Sequence, residues 1–214
     1  MKFSLIIGSY NPDLKLIQHA LDSALGLFDE IVIVNDGSEK FPDIRTDGSE
    51  SIHYIKHAKN RGFFEAKNSA IKSATGDIIA ILDDDDTLVR VGVSKLQKHI
   101  LTSHADIWHF HLMMFGKETG LYGVNASPYD LEERNSIPGV SWFRKSVWEA
   151  LGGFTYPLAE DWDFWLRAKN KGFKFEYFPE TVYNFNRRDG SVSSGWTGDK
   201  FLAIKKDVLK RNSK

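Results

Sequence analysis

Four consecutive aspartates, Asp83-Asp84-Asp85-Asp86, carry the plainest chemical signal in this 214-residue chain. They follow Ile78-Ile79-Ala80-Ile81-Leu82, an apolar run that begins after Gly76 and reads as a strand buried on both faces. Carboxylates crowded at a strand end repel one another and must be hydrated, hydrogen-bonded or neutralised by a cation. Oxygen ligands of this kind suit Mg²⁺ or Mn²⁺, with a phosphorylated substrate supplying further ligands. The plain alternative is a solvated turn that ends the strand. Position favours the functional reading, because open α/β sheets bind ligands at the carboxyl ends of their strands. Two more acidic positions stand out. Asp36, in Asn35-Asp36-Gly37-Ser38, is either turn chemistry or a ligand contact, and Glu160-Asp161 opens a helix whose dipole alone would favour acids there.

The elements that must position these groups can be traced from the pattern. Phe3–Gly8 is a short apolar strand followed by Ser9-Tyr10-Asn11-Pro12, where Asn11 can cap a helix and Pro12 suits its first position. Leu14, Ile17, Leu21, Ala24 and Leu25 fall on one face of that helix. Ile31–Val34 and Ile52–Ile55 read as the next strands, and a second helix follows Asn60-Arg61-Gly62 with a stripe of Phe63, Ala66, Ala70, Ile71 and Ala74. Strand and helix thus alternate through residue 82, which predicts a doubly wound, mostly parallel sheet with Tyr10, Asp36 and Asp83 on one rim.

The second half changes character. A helix is expected over Val91–Ser103, a strand over Asp106–Phe115 and an irregular, mobile loop over Leu121–Asn135. His109 and His111 share a strand face without an obvious third metal ligand. Trp142 and Phe143 are a sugar platform or core. Trp162, Phe164 and Trp165 would bury the Glu160–Arg167 helix, while Phe173–Tyr177 and Val182–Phe185 read as two short strands. The basic loop Arg187-Arg188-Asp189-Gly190-Ser191 could approach a diphosphate. Lys200–Arg211 reads as a cationic amphipathic helix with a solvated face.

Composition narrows the classes. A hydrophobic content of 42% and a charged content of 27% are ordinary for a globular domain. A net charge of −1 gives no reason to expect nucleic acid or an anionic membrane as partner. With no cysteine, disulfides and thiolate zinc sites are impossible, which fits a reducing compartment. The opening MKFSLIIGSYNP is too short in apolar residues for a signal peptide, and no run approaches the ~18 needed to span a bilayer. A cytoplasmic location is the expectation. One domain over residues 1–214 is expected.

SLIIGSYN, VNDGS, NRGFFEAKNSAIKSATGDIIAILDDDD, GVSWFRKSVWEALGGF and EDWDFWLR resemble, in order and spacing over residues 3–193, the family 2 glycosyltransferases of the GT-A fold. The resemblance implies inverting transfer of a sugar from a nucleotide donor, here a UDP-hexose or UDP-deoxyhexose, to a hydroxyl of a glycan or glycoconjugate. It implies Mn²⁺ or Mg²⁺ as cofactor. Ser9, Tyr10 and Asn11 would line the base pocket, and Asp36 would bond the uracil or its ribose. Asp85 would hold the metal, with Asp83 and Asp84 serving the ribose and the surroundings of the metal, and Asp161 would be the catalytic base. The resemblance also implies a nucleotide-binding half to about residue 104 and an acceptor-binding half from about 105. Lys67 stands where the family often has Arg, and Arg188 near its usual His; both would serve the donor, though Lys lacks the bidentate fork. The QxxRW signature of processive synthases is absent, which favours single-sugar addition.

Other readings meet specific obstacles. ILDDDDTL also fits the DxDxT of haloacid dehalogenase-like phosphatases, but that motif ends a first strand and this one ends about the fourth. A nucleotidyltransferase would want a Gly-rich, basic phosphate loop after the first strand. An EF-hand is excluded, because the sixth and twelfth positions counted from Asp83 are Leu88 and Ser94 rather than Gly and Glu. A nucleotide-sugar-binding module without activity keeps the same fold and is separated from an enzyme only by transfer or donor hydrolysis.

Overall fold

The computed structural model describes residues 1–45, 51–124, 126–187 and 198–213. Strands β1 (Phe3–Ser9), β2 (Glu30–Asn35), β3 (Ser51–Lys56) and β4 (Ile78–Ile81) are parallel and lie in the order β3-β2-β1-β4. Every residue of β1, β2 and β4 is buried, and this is why those segments are near-continuous apolar runs. β3 forms the edge and carries only exposed and half-buried residues. The register pairs Ser9 with Asn35 and Ile6 with Ile81, so the three strands end on one rim.

The sheet continues through β8 (Trp142–Arg144), β6 (Ile107–Gly116), β9 (Phe175–Arg187) and β5 (Thr87–Leu88), while β7 (Gly120–Tyr122) pairs with β6. β8 runs antiparallel to both β4 and β6, and β9 is parallel to β6. The helices are α1 (Leu14–Ala24), α2 (Phe63–Ser73), α3 (Arg90–Ile100), α4 (Lys145–Leu151), α5 (Glu160–Asn170) and α6 (Gly198–Asn212). The expected α/β class, a mostly parallel sheet flanked by helices, is the observed one. Among the described residues no helix is long and apolar enough to cross a membrane.

Several local expectations are corrected. Asp13, not Asn11, caps α1: its carboxylate accepts from the amides of Lys15 and Leu16, while Asn11 is turned to φ 50° and donates its N–H to Ser38 Oγ. Leu14 and Phe63 are solvent-exposed rather than part of their buried stripes. Leu121–Asn135 is not one irregular loop. It contributes the end of β7 and a short 3₁₀ turn at Pro128–Asp130, and it buries Leu131, whose carbonyl accepts from Trp162 Nε1 at 2.7 Å. The two short strands around Pro179 are one strand, β9. Pairing jumps from Phe110–Phe178 to His111–Thr181, so the proline sits in a bulge where no ladder N–H is needed. Finally, α6 buries Ile204 and Val208, and Phe201 stacks on Trp162 with ring centres 5.7 Å apart.

The amino ends of β1, β2 and β4 are joined by one buried carboxylate. Glu30 Oε1 accepts from Ser4 Oγ at 2.5 Å, from the Thr75 amide at 2.5 Å and from the Gly76 amide at 3.1 Å. Burial alone would raise its pKa, but these donors outweigh it and hold the pKa below the usual carboxylate range. A lowered folded-state pKa stabilises the native state above the unfolded value, about 4.3, and the contribution fades as pH falls below it. Glu30→Ala strands the buried donors and should cost roughly 1–3 kcal/mol at pH 7. In denaturant melts, the gap from the native protein should narrow toward pH 3.

Candidate active site

The acid run begins where β4 ends, and each of its members has a different neighbour. Ser9 Oγ, at the end of β1, donates to Asp84 Oδ2. Asp83 offers its backbone N–H to Tyr183 Oη at 3.0 Å, and that hydroxyl donates to Asp86 Oδ2 at 2.9 Å. Asp86 is wholly buried, and its Oδ1 accepts the Asn186 amide at 2.6 Å. The fourth aspartate and a tyrosine of β9 thus tie the rim of the parallel half to the second half of the chain. Sequence reasoning missed both, since an acid in a run of acids carries no mark of being inward-facing. Burial, offset in part by Lys67 and reinforced by Asp85 and Asp84, pushes Asp83 up to about 7. Its Oδ1 is buried with no hydrogen-bond partner.

Tyr10, Asn11, Pro12, Asp13 and Leu16 line a cleft of about 110 Å³ whose far wall is Asp84 and Asp85. This cleft brings together Tyr10, Asn11, Asp84 and Asp85, four of the residues singled out from sequence. A larger hollow of about 330 Å³, between Leu27 and the Arg90–Lys98 face of α3, contains none of the carboxylates.

Asp36 donates its backbone N–H to the Ser9 carbonyl at 2.8 Å, and its carboxylate is heavily used. Oδ1 meets His57 Nδ1 at 2.6 Å and the Arg61 amide at 3.0 Å, and Oδ2 accepts the Gly62 amide at 2.8 Å. The NDGS segment is also genuine turn chemistry, because Asn35 Oδ1 accepts the Ser38 amide. Gly37, at φ 81°, lies so close to Lys59 and Asn60 that a Cβ would come within 2.2 Å of backbone. His57 Nε2 reaches Ser69 Oγ at 2.9 Å, completing the order Asp–His–Ser. Neither cavity is lined by Ser69, and the chain of bonds welds the end of β2 to α2. His57 was invisible to sequence reasoning because nothing local marks it.

The second half brings Glu160 and Asp161 to the same place. A cluster of rings, with Phe154 and Phe164 4.5 Å apart and Phe143 5.3 Å from Phe164, packs α5 against β8. Trp142 and Phe143 are both fully buried and belong to the core. Asp161, at the start of α5, accepts from Asn135 Nδ2 at 2.8 Å and from the Trp162 amide at 2.8 Å. Partial burial and the neighbouring Glu160 push its pKa up to about 6, against the pull of Lys67. Lys67, from α2, is buried and donates to Glu160 Oε1 at 2.9 Å. Burial works against the ammonium, but Glu160, Asp83 and Asp161 outweigh it and raise its pKa above the usual lysine value. One cation therefore acts on carboxylates from both halves of the chain. His109 and His111 take another course: they flank Tyr177, and burial depresses His109 to about 4. Among the described residues no group of three or more His, Asp or Glu side chains could hold a metal unaided. Arg188 lies outside the described residues.

The glycosyl transferase family 2 model matches residues 4–156, which hold the rim, the acid run and Lys67. The chain belongs to glycosyl transferase family 2. It is 29% identical to the uncharacterized glycosyltransferase YwdF of Bacillus subtilis over 87% of this chain and 75% of that one. It is 28% identical to WfaP of Escherichia coli, a UDP-Glc:α-D-GlcNAc-diphosphoundecaprenol β-1,3-glucosyltransferase, over 89% of this chain and 79% of that one. Two other curated relatives, YdaM of Bacillus subtilis and GlyA of Streptococcus pneumoniae, are longer, and the chain spans 50% and 32% of their length. Among solved structures, S. aureus TarS 1–349 in complex with UDP-GlcNAc superposes with a TM-score of 0.74 at 18% identity, covering 99% of this chain and 71% of that one.

Gly139 approaches Asp161 closely. A Cβ at Gly139 would stand 2.8 Å from Asp161 Oδ2 and displace the carboxylate. Gly139→Ala should lower glycosyl transfer at saturating donor by tenfold or more, since misplacing a group by ~1 Å can cost about 10²-fold. The melting temperature, followed by circular dichroism, should barely move.

Proposed function

We propose that this enzyme moves a hexose or deoxyhexose from a UDP-sugar to a hydroxyl of a glycan or glycoconjugate acceptor, with inversion at the anomeric carbon and with Mn²⁺ or Mg²⁺ as cofactor. The observation that carries the reading is the placement of Asp161. A carboxylate from the second half, pushed up to about 6, shares the Lys67 ammonium with the acid run of the first half. The UDP-sugars named for WfaP and for the TarS complex support a UDP-linked donor.

In this reading residues 1 to about 104 bind the donor and the remainder the acceptor. Ser9, Tyr10 and Asn11 line the base pocket. Asp36 shapes it by holding the Arg61 and Gly62 amides; of the roughly four lone-pair sites of a carboxylate, three are occupied, and the last, on Oδ2, serves the base or ribose. Asp83 and Asp84 serve the ribose and the surroundings of the metal. Arg188 contacts the diphosphate, on the family resemblance alone.

The donor set suits a divalent ion. Asp83, Asp84 and Asp85 offer carboxylate oxygens, and Asp83 Oδ1 is buried without a partner. When bound, the ion would be held by Asp85 and would offset, as a Lewis acid, the charge that develops on departing UDP. The protein's part is to orient and to move a proton. Asp161 takes the proton of the acceptor hydroxyl as its oxygen bonds to the anomeric carbon on the face opposite UDP, and the C1–O bond to the diphosphate breaks. The products are the glycoside, UDP and protonated Asp161, which returns its proton to solvent.

Two measurements test this. Chelation should abolish transfer and added Mn²⁺ restore it, while Asp85→Ala should stay folded and lose metal-dependent UDP affinity in calorimetry; full activity in excess chelator would overturn the metal assignment. Asp161→Asn should melt normally and bind UDP, yet lose ~10²–10⁴-fold in turnover. Because the base must be ionised, the native enzyme's kcat/KM should fall below about pH 6, the value to which Asp161 is raised. Unchanged turnover in Asp161→Asn would remove the residue from the chemistry.

A further inference from the structure

We propose that Lys67 is a positioning residue that holds Glu160, and with it the first turn of α5, and that it makes no contact with the donor. The inference rests on the reading of Asp161 as base. The family resemblance assigns this position to the donor, but the geometry points inward. Only 4% of the Lys67 side chain is exposed, and Nζ is 2.9 Å from Glu160 Oε1. The ammonium lies 4.0 Å from the centre of the Phe63 ring and 5.6 Å from that of Phe154. Two ring faces and a carboxylate enclose it. Reaching a diphosphate would require breaking the pair and leaving Glu160 as an uncompensated charge beside Asp161, a costly state for partly buried carboxylates.

The first turn of α5 also needs an external tie. Its N-cap is Ala159, which offers no side-chain hydrogen bond to the free amides, and Glu160, Asp161 and Asp163 all stand in that turn. Asn135 fixes one oxygen of Asp161, and the Trp162 amide fixes the other. The Lys67–Glu160 bond spans 93 residues and joins α2, in the parallel half, to the turn that carries the base. Among the described residues, the charged or titratable groups that act on Asp161 or feel its charge include Glu160 on its own helix, Lys67 on α2 and Tyr122 on β7. Of these Lys67 is the cation, and it favours the ionised base.

The test compares Lys67→Met, Glu160→Gln and the double variant in the full chain. For Lys67→Met, UDP affinity with Mn²⁺, measured by calorimetry at about pH 9 so that Asp83 is ionised in both proteins, should stay within twofold of native. Turnover should fall tenfold or more, and the acidic limb of kcat/KM should move to higher pH, because removing the cation makes Asp161 easier to protonate. The double variant should melt higher than Lys67→Met alone, since it removes the stranded charge. A lysine bound to the diphosphate gives the opposite pattern, with UDP affinity down tenfold or more and the limb unmoved, and that overturns the proposal. Should Lys67→Met not fold, Glu160→Gln decides: lower turnover and a displaced limb at native UDP affinity support the proposal, and native kinetics refute it. Asp161→Asn separates the two levels. If it keeps full turnover the base assignment fails, while the UDP titration and the melting comparison still judge Lys67.

Discussion

A single buried ammonium lies where the two halves of this protein meet. Lys67 is withdrawn from water, which disfavours its charge, yet three carboxylates from distant segments hold it protonated. The balance runs in both directions. Asp83 and Asp161 are each raised by burial and by neighbouring acids, and each would be raised further without Lys67. A pair of this kind adds little net stability, because desolvation takes back much of the Coulombic gain. What it supplies is geometry: α2 and α5 cannot shift independently without stranding a charge.

The scaffold around this contact is stiff for ordinary reasons. Aromatic rings fill the space between β8, α5 and β9, and Trp165 lies edge-on to both Phe143 and Phe175. Behind α5, the buried carboxylate of Asp163 accepts from Arg167 at 2.8 Å, from Thr155 at 3.1 Å and from Asn212 at 3.1 Å. The last of these comes from the end of α6, so the last helix is fastened to the helix that carries Asp161. On the other side, Tyr183 spans Asp83 and Asp86 and prevents the acid run from behaving as a solvated turn. Side chains placed this firmly keep the order in their carboxylates that glycosyl transfer demands.

Much of this was legible in the residues alone. Fully buried parallel strands must be apolar along their whole length, so β1, β2 and β4 announced themselves, and their order with the intervening helices implied the rim. The acid run, Asp36 and Glu160-Asp161 stood out because charged groups at element ends need a reason. Some local signals mislead where two of them compete. Pro179 resembles a strand end but occupies a bulge, and Asp13 rather than Asn11 supplied the cap because the chain turns left-handed at Asn11.

The sequence by itself determined the class of fold, the rim on which the site lies and the residue types available for chemistry, because burial periodicity and charge are properties of short segments. Only the tertiary structure decided which of those residues meet. Lys67 and Glu160 are 93 positions apart, and Asp86 and Tyr183 97. His57 acquires meaning only between Asp36 and Ser69. Pairing across such separations depends on how helices pack against a sheet. No window of sequence contains that packing, and so the internal counter-ion of the site looked, in the sequence, like one more basic residue on a helix.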